Sequence, residues 1–271
     1  MGIKNIFKKR ETKLGLYIVL RLLVLATMIR QMMLGNWHNV FMCLLTLILF
    51  LIPSILEKRL RVRLPNTLEA IILLFIFSAE ILGEINNFYG TFKHWDTMLH
   101  TLNGFLAAAI GFSLIDILNR NDKFHISMSP LFVALVSFCF SMTIGVMWEF
   151  FEFTGDQLLN MDMQKDRIVQ RISTVELEPD GKNIPVIVDN IQQTVIYSQA
   201  NKEGPVETVI EGGYLDIGLI DTMKDLIVNF IGAIVFSIFG LLYIKNRDRY
   251  KFAGRFIPTL ESEQPSEEPS E

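Results

Sequence analysis

Acidic and amide residues recur in this chain at helical spacing, inside stretches that are otherwise apolar. Glu80 and Glu84 are four apart; Asp96, His100 and Asn103 fall at i, i+4 and i+7. Glu149, Glu152 and Asp156 fall at i, i+3 and i+7, and Asp221, Asp225 and Asn229 at i, i+4 and i+8. Each set occupies one stripe of an α-helix. So many carboxylates cannot share one site as bare anions, so protons or a cation must compensate them. Oxygen-rich ligation suits Mg, Mn or Ca, and one histidine joined to carboxylates suits Zn or Mn. A divalent ion would polarise a phosphoryl or carbonyl oxygen, or activate water. The expected metal ligands are Asp96, His100, Glu149, Asp221 and Asp225. Glu149, Glu152 and Asp156 are the expected catalytic residues, the last two as handlers of water or protons.

Plainer roles compete for the same residues. Asp96 and Asp221 sit where helix N-terminal caps would sit, and His100 has the chemistry of a helix–helix hydrogen-bond donor. Glu80 and Glu84 are expected at the membrane interface, facing out. Asn103 and Asn229 should lie one or two turns deeper than the carboxylates. In the first apolar stretch, Arg30 is expected to snorkel outward. Arg21 should reach inner headgroups or a buried acid.

The elements that carry these stripes follow from composition. Of 271 residues, 51% are hydrophobic and 20% charged, with a net charge of −4. Soluble chains run about 25% charged and break up their apolar residues by short-period patterning. Here the apolar blocks fall at about 14–34, 37–56, 67–87, 96–118, 129–153 and 219–244, near the ~20 residues that span a bilayer. Continuous apolarity excludes a β-barrel, which would alternate. Mild acidity leaves no footprint for nucleic acid, so the expected partners are membrane lipids. The two cysteines, Cys43 and Cys139, lie inside apolar blocks and read as small hydrophobes.

The fold expected is an all-α, six-helix transmembrane bundle. Lys8, Lys9 and Arg10 precede the first block, and Lys58, Arg59, Arg61 and Arg63 follow the second. Arg120 and Lys123 follow the fourth, and Lys245, Arg247, Arg249, Lys251 and Arg255 the sixth. Alternating spans put all four groups on one side, cytoplasmic by the positive-inside rule, with both termini. The four polar stripes then converge near the outer face. Residues 1–156 would hold the first five helices, 157–215 a β-rich extracytoplasmic insertion, and 216–245 the sixth helix. A cytoplasmic disordered tail would follow over 246–271, most marked from Leu260 onward. Inside the insertion, Thr174–Leu177, Ile184–Val188, Thr194–Tyr197 and Thr208–Ile210 read as strands, with a turn at Glu178-Pro179-Asp180-Gly181.

Three segments carry a family resemblance: Trp95-Asp96-x-x-x-His100-x-x-x-Gly104-Phe105, Trp148-Glu149-Phe150-Phe151-Glu152-Phe153, and Asp221-Thr222-x-x-Asp225-Leu226-x-x-Asn229-x-x-Gly232-Ala233. They resemble a family of bacterial multi-pass inner-membrane proteins known as a domain of unknown function. Their order is also similar, more distantly, to the VanZ-like family linked to glycopeptide resistance. The resemblance covers the third to sixth spans and implies a fold without implying a reaction; the long insertion between Asp156 and Asp221 departs from it. Three functions stay open: a metal-dependent membrane enzyme acting on a lipid-linked or headgroup substrate, a structural or stress-response partner protein of the envelope, and a cation- or proton-coupled transporter.

Overall fold

The computed structural model describes residues 3–60, 62–120, 128–199 and 205–260. The chain divides into two compact units, one of residues 1–146 with 225–271 and one of residues 147–224. Among the described residues, five helices are long and apolar enough to cross a membrane: 15–33, 37–59, 95–116, 130–158 and 219–245.

In the first unit, α1 (Ile3–Met33) is followed by α2 (Trp37–Leu49), whose N-terminus is capped by Asn36 accepting from the Asn39 amide. The second apolar run then breaks. Pro53 has no N–H to donate and disfavours helical geometry in the residue before it. A new helix, α3 (Ile52–Leu60), starts with that proline in its first turn, where an absent donor is harmless. The short strand β1 (Val62–Arg63) leads into α4 (Asn66–Phe77), which passes directly into a π-helical stretch, Ser78–Ile85.

That π stretch alters what the sequence implies for Glu80 and Glu84. Wider turns break the i, i+4 alignment of an α-helix and free carbonyls from the regular ladder. Trp95 Nε1 donates to the Ser78 carbonyl at 3.3 Å, and Asn86 Nδ2 to that of Ile81 at 2.6 Å. Glu84 is exposed, as expected, but Glu80 is buried beside Ile81.

The short α5 (Phe88–Thr91) packs Phe88 edge-on against Trp95 at the start of α6 (Trp95–Arg120). Two later helices, α7 (Pro130–Leu159) and α8 (Leu219–Lys245), each contribute to both units. Within the first unit α6 meets both at close quarters. A side chain at Gly104 would overlap the Asn229 carbonyl, and one at Gly232 would overlap that of Thr101. Ser137 and Ser141 on α7 donate to the Ala108 and Gly104 carbonyls of α6, each at 2.7 Å. Lipid tails give no hydrophobic drive between helices, so close backbone approach and hydroxyl donors hold such seams together.

The disordered tail expected from residue 246 is overturned as far as residue 260. Residues 246–260 fold back, and Ala253, Phe256 and Ile257 are buried with Ala108, Ala109, Phe112 and Phe236. Phe256 stacks edge-on to Phe105 at 5.2 Å. The strand β8 (Thr259–Leu260) pairs antiparallel with β1, and Arg247 bonds Asp116 of α6 at 3.2 Å. Burial of its apolar side chains against the helices is what holds this segment in place. Residues 261–271, the strongest part of that expectation, lie outside the described residues.

The second unit holds the expected β-rich insertion as three separate antiparallel pairs. β2 (Ile168–Val169) pairs with β7 (Tyr214–Leu215), β3 (Arg171–Thr174) with β4 (Val186–Asp189), and β5 (Gln193–Gln199) with β6 (Pro205–Glu211). Of the strand expected over Thr174–Leu177 only Thr174 lies in a strand, as the last residue of β3, and residues 175–177 form a bend and turn. The Glu178–Gly181 turn lies where its composition puts it: Glu178 accepts the Asp180 amide at 3.0 Å, and Gly181 takes φ +66°.

Candidate metal centre

Helix α6 begins with Trp95 and carries Asp96 in its first turn, so Asp96 and His100 stack one turn apart on one face. Asp225 comes from α8, the helix that meets α6 through the Gly104 and Gly232 notches. His100 Nε2 lies 3.4 Å from Asp96 Oδ1 and 3.9 Å from Asp225 Oδ2. One oxygen from each carboxylate and one imidazole nitrogen all fall within 4.8 Å of one another. Ligands on a tetrahedral ion at about 2.0–2.2 Å stand roughly 3.3–3.6 Å apart, so the spacing suits a small inward adjustment around one ion. His100 is 8% exposed and Asp225 2%. Burial makes an electrostatic partner for these groups count for more than it would in water.

Directly along the same seam, Asn103 Nδ2 donates to Asn229 Oδ1 at 3.1 Å. Asn229 is 1% exposed, and a side chain at Gly145 of α7 would sit 2.6 Å from its Nδ2. Three helices of the first unit therefore fix this amide pair. Asp96, His100 and Asp225 thus form one group that could hold a metal ion.

The other four expected site residues belong to the second unit. Glu149 is buried there, while its neighbours Trp148, Phe150, Phe151 and Phe153 face outward. Glu152 accepts from Trp148 Nε1 at 2.8 Å. Asp156 accepts the amides of Met163 and Gln164 at 2.6 and 2.9 Å, which closes the chain as it leaves α7. Asp221 accepts from Arg167 NH2 and from the Lys165 amide, each at 3.1 Å. An arginine that neutralises a carboxylate takes the place a cation would fill, so Asp221 has a structural partner of its own.

One residue of structural weight escaped the sequence reading. Asp216 accepts amides from Arg167 (2.6 Å), Ile220 (2.9 Å) and Gly218 (3.3 Å), and so caps the start of α8. Burial alone would push its carboxyl up, but those amides and the Arg167 guanidinium hold it below the usual carboxylate range. The nearby Asp166 carboxyl is pushed up by burial and by repulsion from Asp162, Asp216 and Asp156. The cap was signalled by Asp-x-Gly just before an apolar run, with Gly218 at φ +86°.

A protein of Thermotoga maritima described as uncharacterized is 27% identical over 107 residues, which are 40% of this chain and 53% of that protein. The match thus spans about half the relative's length. No solved structure matches the chain. A family model described as "Predicted membrane protein (DUF2238)" matches residues 12–246, most of the sequence, and the chain belongs to that family.

Proposed function

We propose that the chain is a divalent-metal-dependent membrane enzyme acting on a lipid-linked or headgroup substrate at the outer face of the bacterial cytoplasmic membrane. The observation that carries this reading is the group formed by Asp96, His100 and Asp225, three ligand atoms within 4.8 Å of one another on two closely packed helices. One imidazole with two carboxylates favours Zn or Mn over the all-oxygen preference of Ca and Mg. Such an ion would polarise a phosphoryl oxygen or supply a hydroxide near neutral pH.

The location follows from a six-span reading. The 12 residues of α4 and the 8 of the π stretch run on without a break and form the sixth span beside the five long helices. Alternation then puts Lys58, Arg59 and Lys245 on one side, the cytoplasmic side, with both termini. Asp96 and Asp225 each lie near the N-terminal end of a span that starts from the opposite side.

Metal analysis of the purified full chain tests this. Wild type should retain close to one equivalent of transition metal. Asp225→Asn and His100→Gln should each lose it while keeping wild-type helical content. Metal-free wild type, or metal held equally by both variants, would defeat the proposal. The second reading, a partner-binding envelope protein, is favoured by β5–β6, a lone two-stranded ladder with open edges and Tyr197 73% exposed. Edges of this kind accept an added strand. Removing residues 193–211 would then abolish the phenotype while metal content stays unchanged.

A further inference from the structure

The first unit half-buries a cation within an apolar run. Arg21 lies six residues into the apolar run 15–33 of α1, so its Cα is about 9 Å from the end of that run. One guanidinium nitrogen meets the Tyr17 hydroxyl at 2.5 Å, and the guanidinium carbon sits 4.1 Å above the Tyr17 ring. Tyr17 in turn donates to the Phe50 carbonyl at 3.0 Å. That carbonyl lies at the break between α2 and α3, so the arginine is fixed against a kink in the neighbouring helix. Arg21 Nε is buried with no hydrogen-bond partner. Among the described residues, no carboxylate pairs with Arg21.

An arginine in hydrocarbon needs a counter-charge, and its planar fork fits a phosphate bidentately. Tyr17 occupies one terminal nitrogen and one face of the fork, and Nε is shielded, which leaves the other terminal nitrogen for a ligand approaching along the helix surface. The approach is electropositive. Phe50 is followed on α3 by Lys58 and Arg59, both exposed, and by exposed Arg63 on β1. Basic pockets between spans, next to basic juxtamembrane residues, are where anionic headgroups settle. The residues around the notch are apolar: Leu20, Val24, Leu47 and Phe50 belong to the core cluster that Tyr17 also joins. Beside Arg21 on the same helix, exposed Ile18, Leu22 and Leu25 offer the apolar surface that acyl chains would cover.

We infer that the α1–α2 notch at Arg21 and Tyr17 binds the headgroup phosphate of an anionic phospholipid, on the side of the membrane marked by Lys58 and Arg59. The site is separate from the Asp96–His100–Asp225 group, and its test does not depend on metal.

The test uses the purified full chain in vesicles of phosphatidylcholine, alone or with 30 mol% phosphatidylglycerol as roughly the anionic share of a bacterial membrane. The readouts are the thermal unfolding midpoint and, by native mass spectrometry in neutral detergent, the phospholipid retained. Wild type should gain several degrees from phosphatidylglycerol and retain bound anionic lipid. Arg21→Ala should lose most of both, and Tyr17→Phe should lose part of both. Arg30→Ala, which changes an exposed arginine on the same helix, should keep both. If Arg21→Ala does not fold, Arg21→Lys serves, since it keeps the charge but loses the fork; at least a fivefold drop in retained lipid is expected. Retention by Arg21→Ala or Arg21→Lys at the wild-type level overturns the inference. Equal protection by inorganic phosphate in neutral detergent, with nothing added by phosphatidylglycerol, overturns it in favour of a soluble anion.

Discussion

Replacing Gly104 with alanine tests the link between helix packing and the candidate metal centre. The added Cβ would lie 2.8 Å from the Asn229 carbonyl carbon and nearer still to its oxygen, whereas ordinary contact starts at 3.4 Å. The obstacle is backbone, so no rotamer change relieves it. The α6 and α8 helices must part by at least 0.6 Å, the difference between 3.4 and 2.8 Å. Overpacking of this kind costs about 1–3 kcal/mol. Loosening the Asn103–Asn229 bond adds about 0.6 kcal/mol, the mean for such bonds between membrane helices. The expected loss is therefore about 2–4 kcal/mol in reversible unfolding from mixed micelles. Gly15→Ala is the control: nothing lies within 4 Å of its added methyl, and a helical alanine should gain up to about 1 kcal/mol. Parting α6 from α8 also separates Asp96 and His100 from Asp225, so metal affinity should fall at least tenfold, about 1.4 kcal/mol. Equal stability of Gly104→Ala and Gly15→Ala would refute the packing argument. Normal metal affinity in a destabilised Gly104→Ala would refute the coupling between seam and site.

Other perturbations follow from the same coordinates. Arg247→Ala should destabilise by about 1–3 kcal/mol, below the range for a fully buried pair because Arg247 is partly solvated, and by more than Asp116→Asn; thermal unfolding of the two variants checks the order. Asn229→Ala should cost about 1–2 kcal/mol through the lost Asn103 partner and the void it leaves, measured in the same micelles. In the second unit, a lowered Asp216 carboxyl contributes stability that is fully present above the unfolded value near 3.9 and is lost as pH falls through the folded value. Protease resistance of residues 160–218 should therefore be flat from about pH 7 to 5 and fall below about 4, a fall that Asp216→Asn removes. The raised Asp166 carboxyl has the opposite sign, since its ionised form is disfavoured on folding. Asp166→Asn should thus increase protease resistance at pH 7.

The stripe Asp96–His100 was legible because both residues sit on one uninterrupted helix, where i, i+4 spacing fixes a common face. Asp225 joined them because α8 repeats the same period and the notches at Gly104 and Gly232 allow close approach. The same argument failed for Glu80 and Glu84, because it assumes α geometry and a π stretch runs through both. Beyond residue 246 the apolar residues, Phe256 and Ile257 among them, are too few to register as a span. They become core because they pack with Ala108, Ala109 and Phe112 of α6 and Phe236 of α8.

Local sequence determined the membrane character, the helical stripes, the break before Pro53 and the turn at Gly181. Each of these depends on neighbours along the chain, through apolar length, helical period or backbone restriction. Tertiary structure decided which carboxylates meet His100, which are held by backbone amides or by Arg167, and which cation, among the described residues, meets a tyrosine and no acid. Those outcomes depend on distances between residues far apart in sequence, such as His100 and Asp225 or Tyr17 and Phe50. Spacing along one helix cannot encode them, because the partner's position is set by how two helices pack.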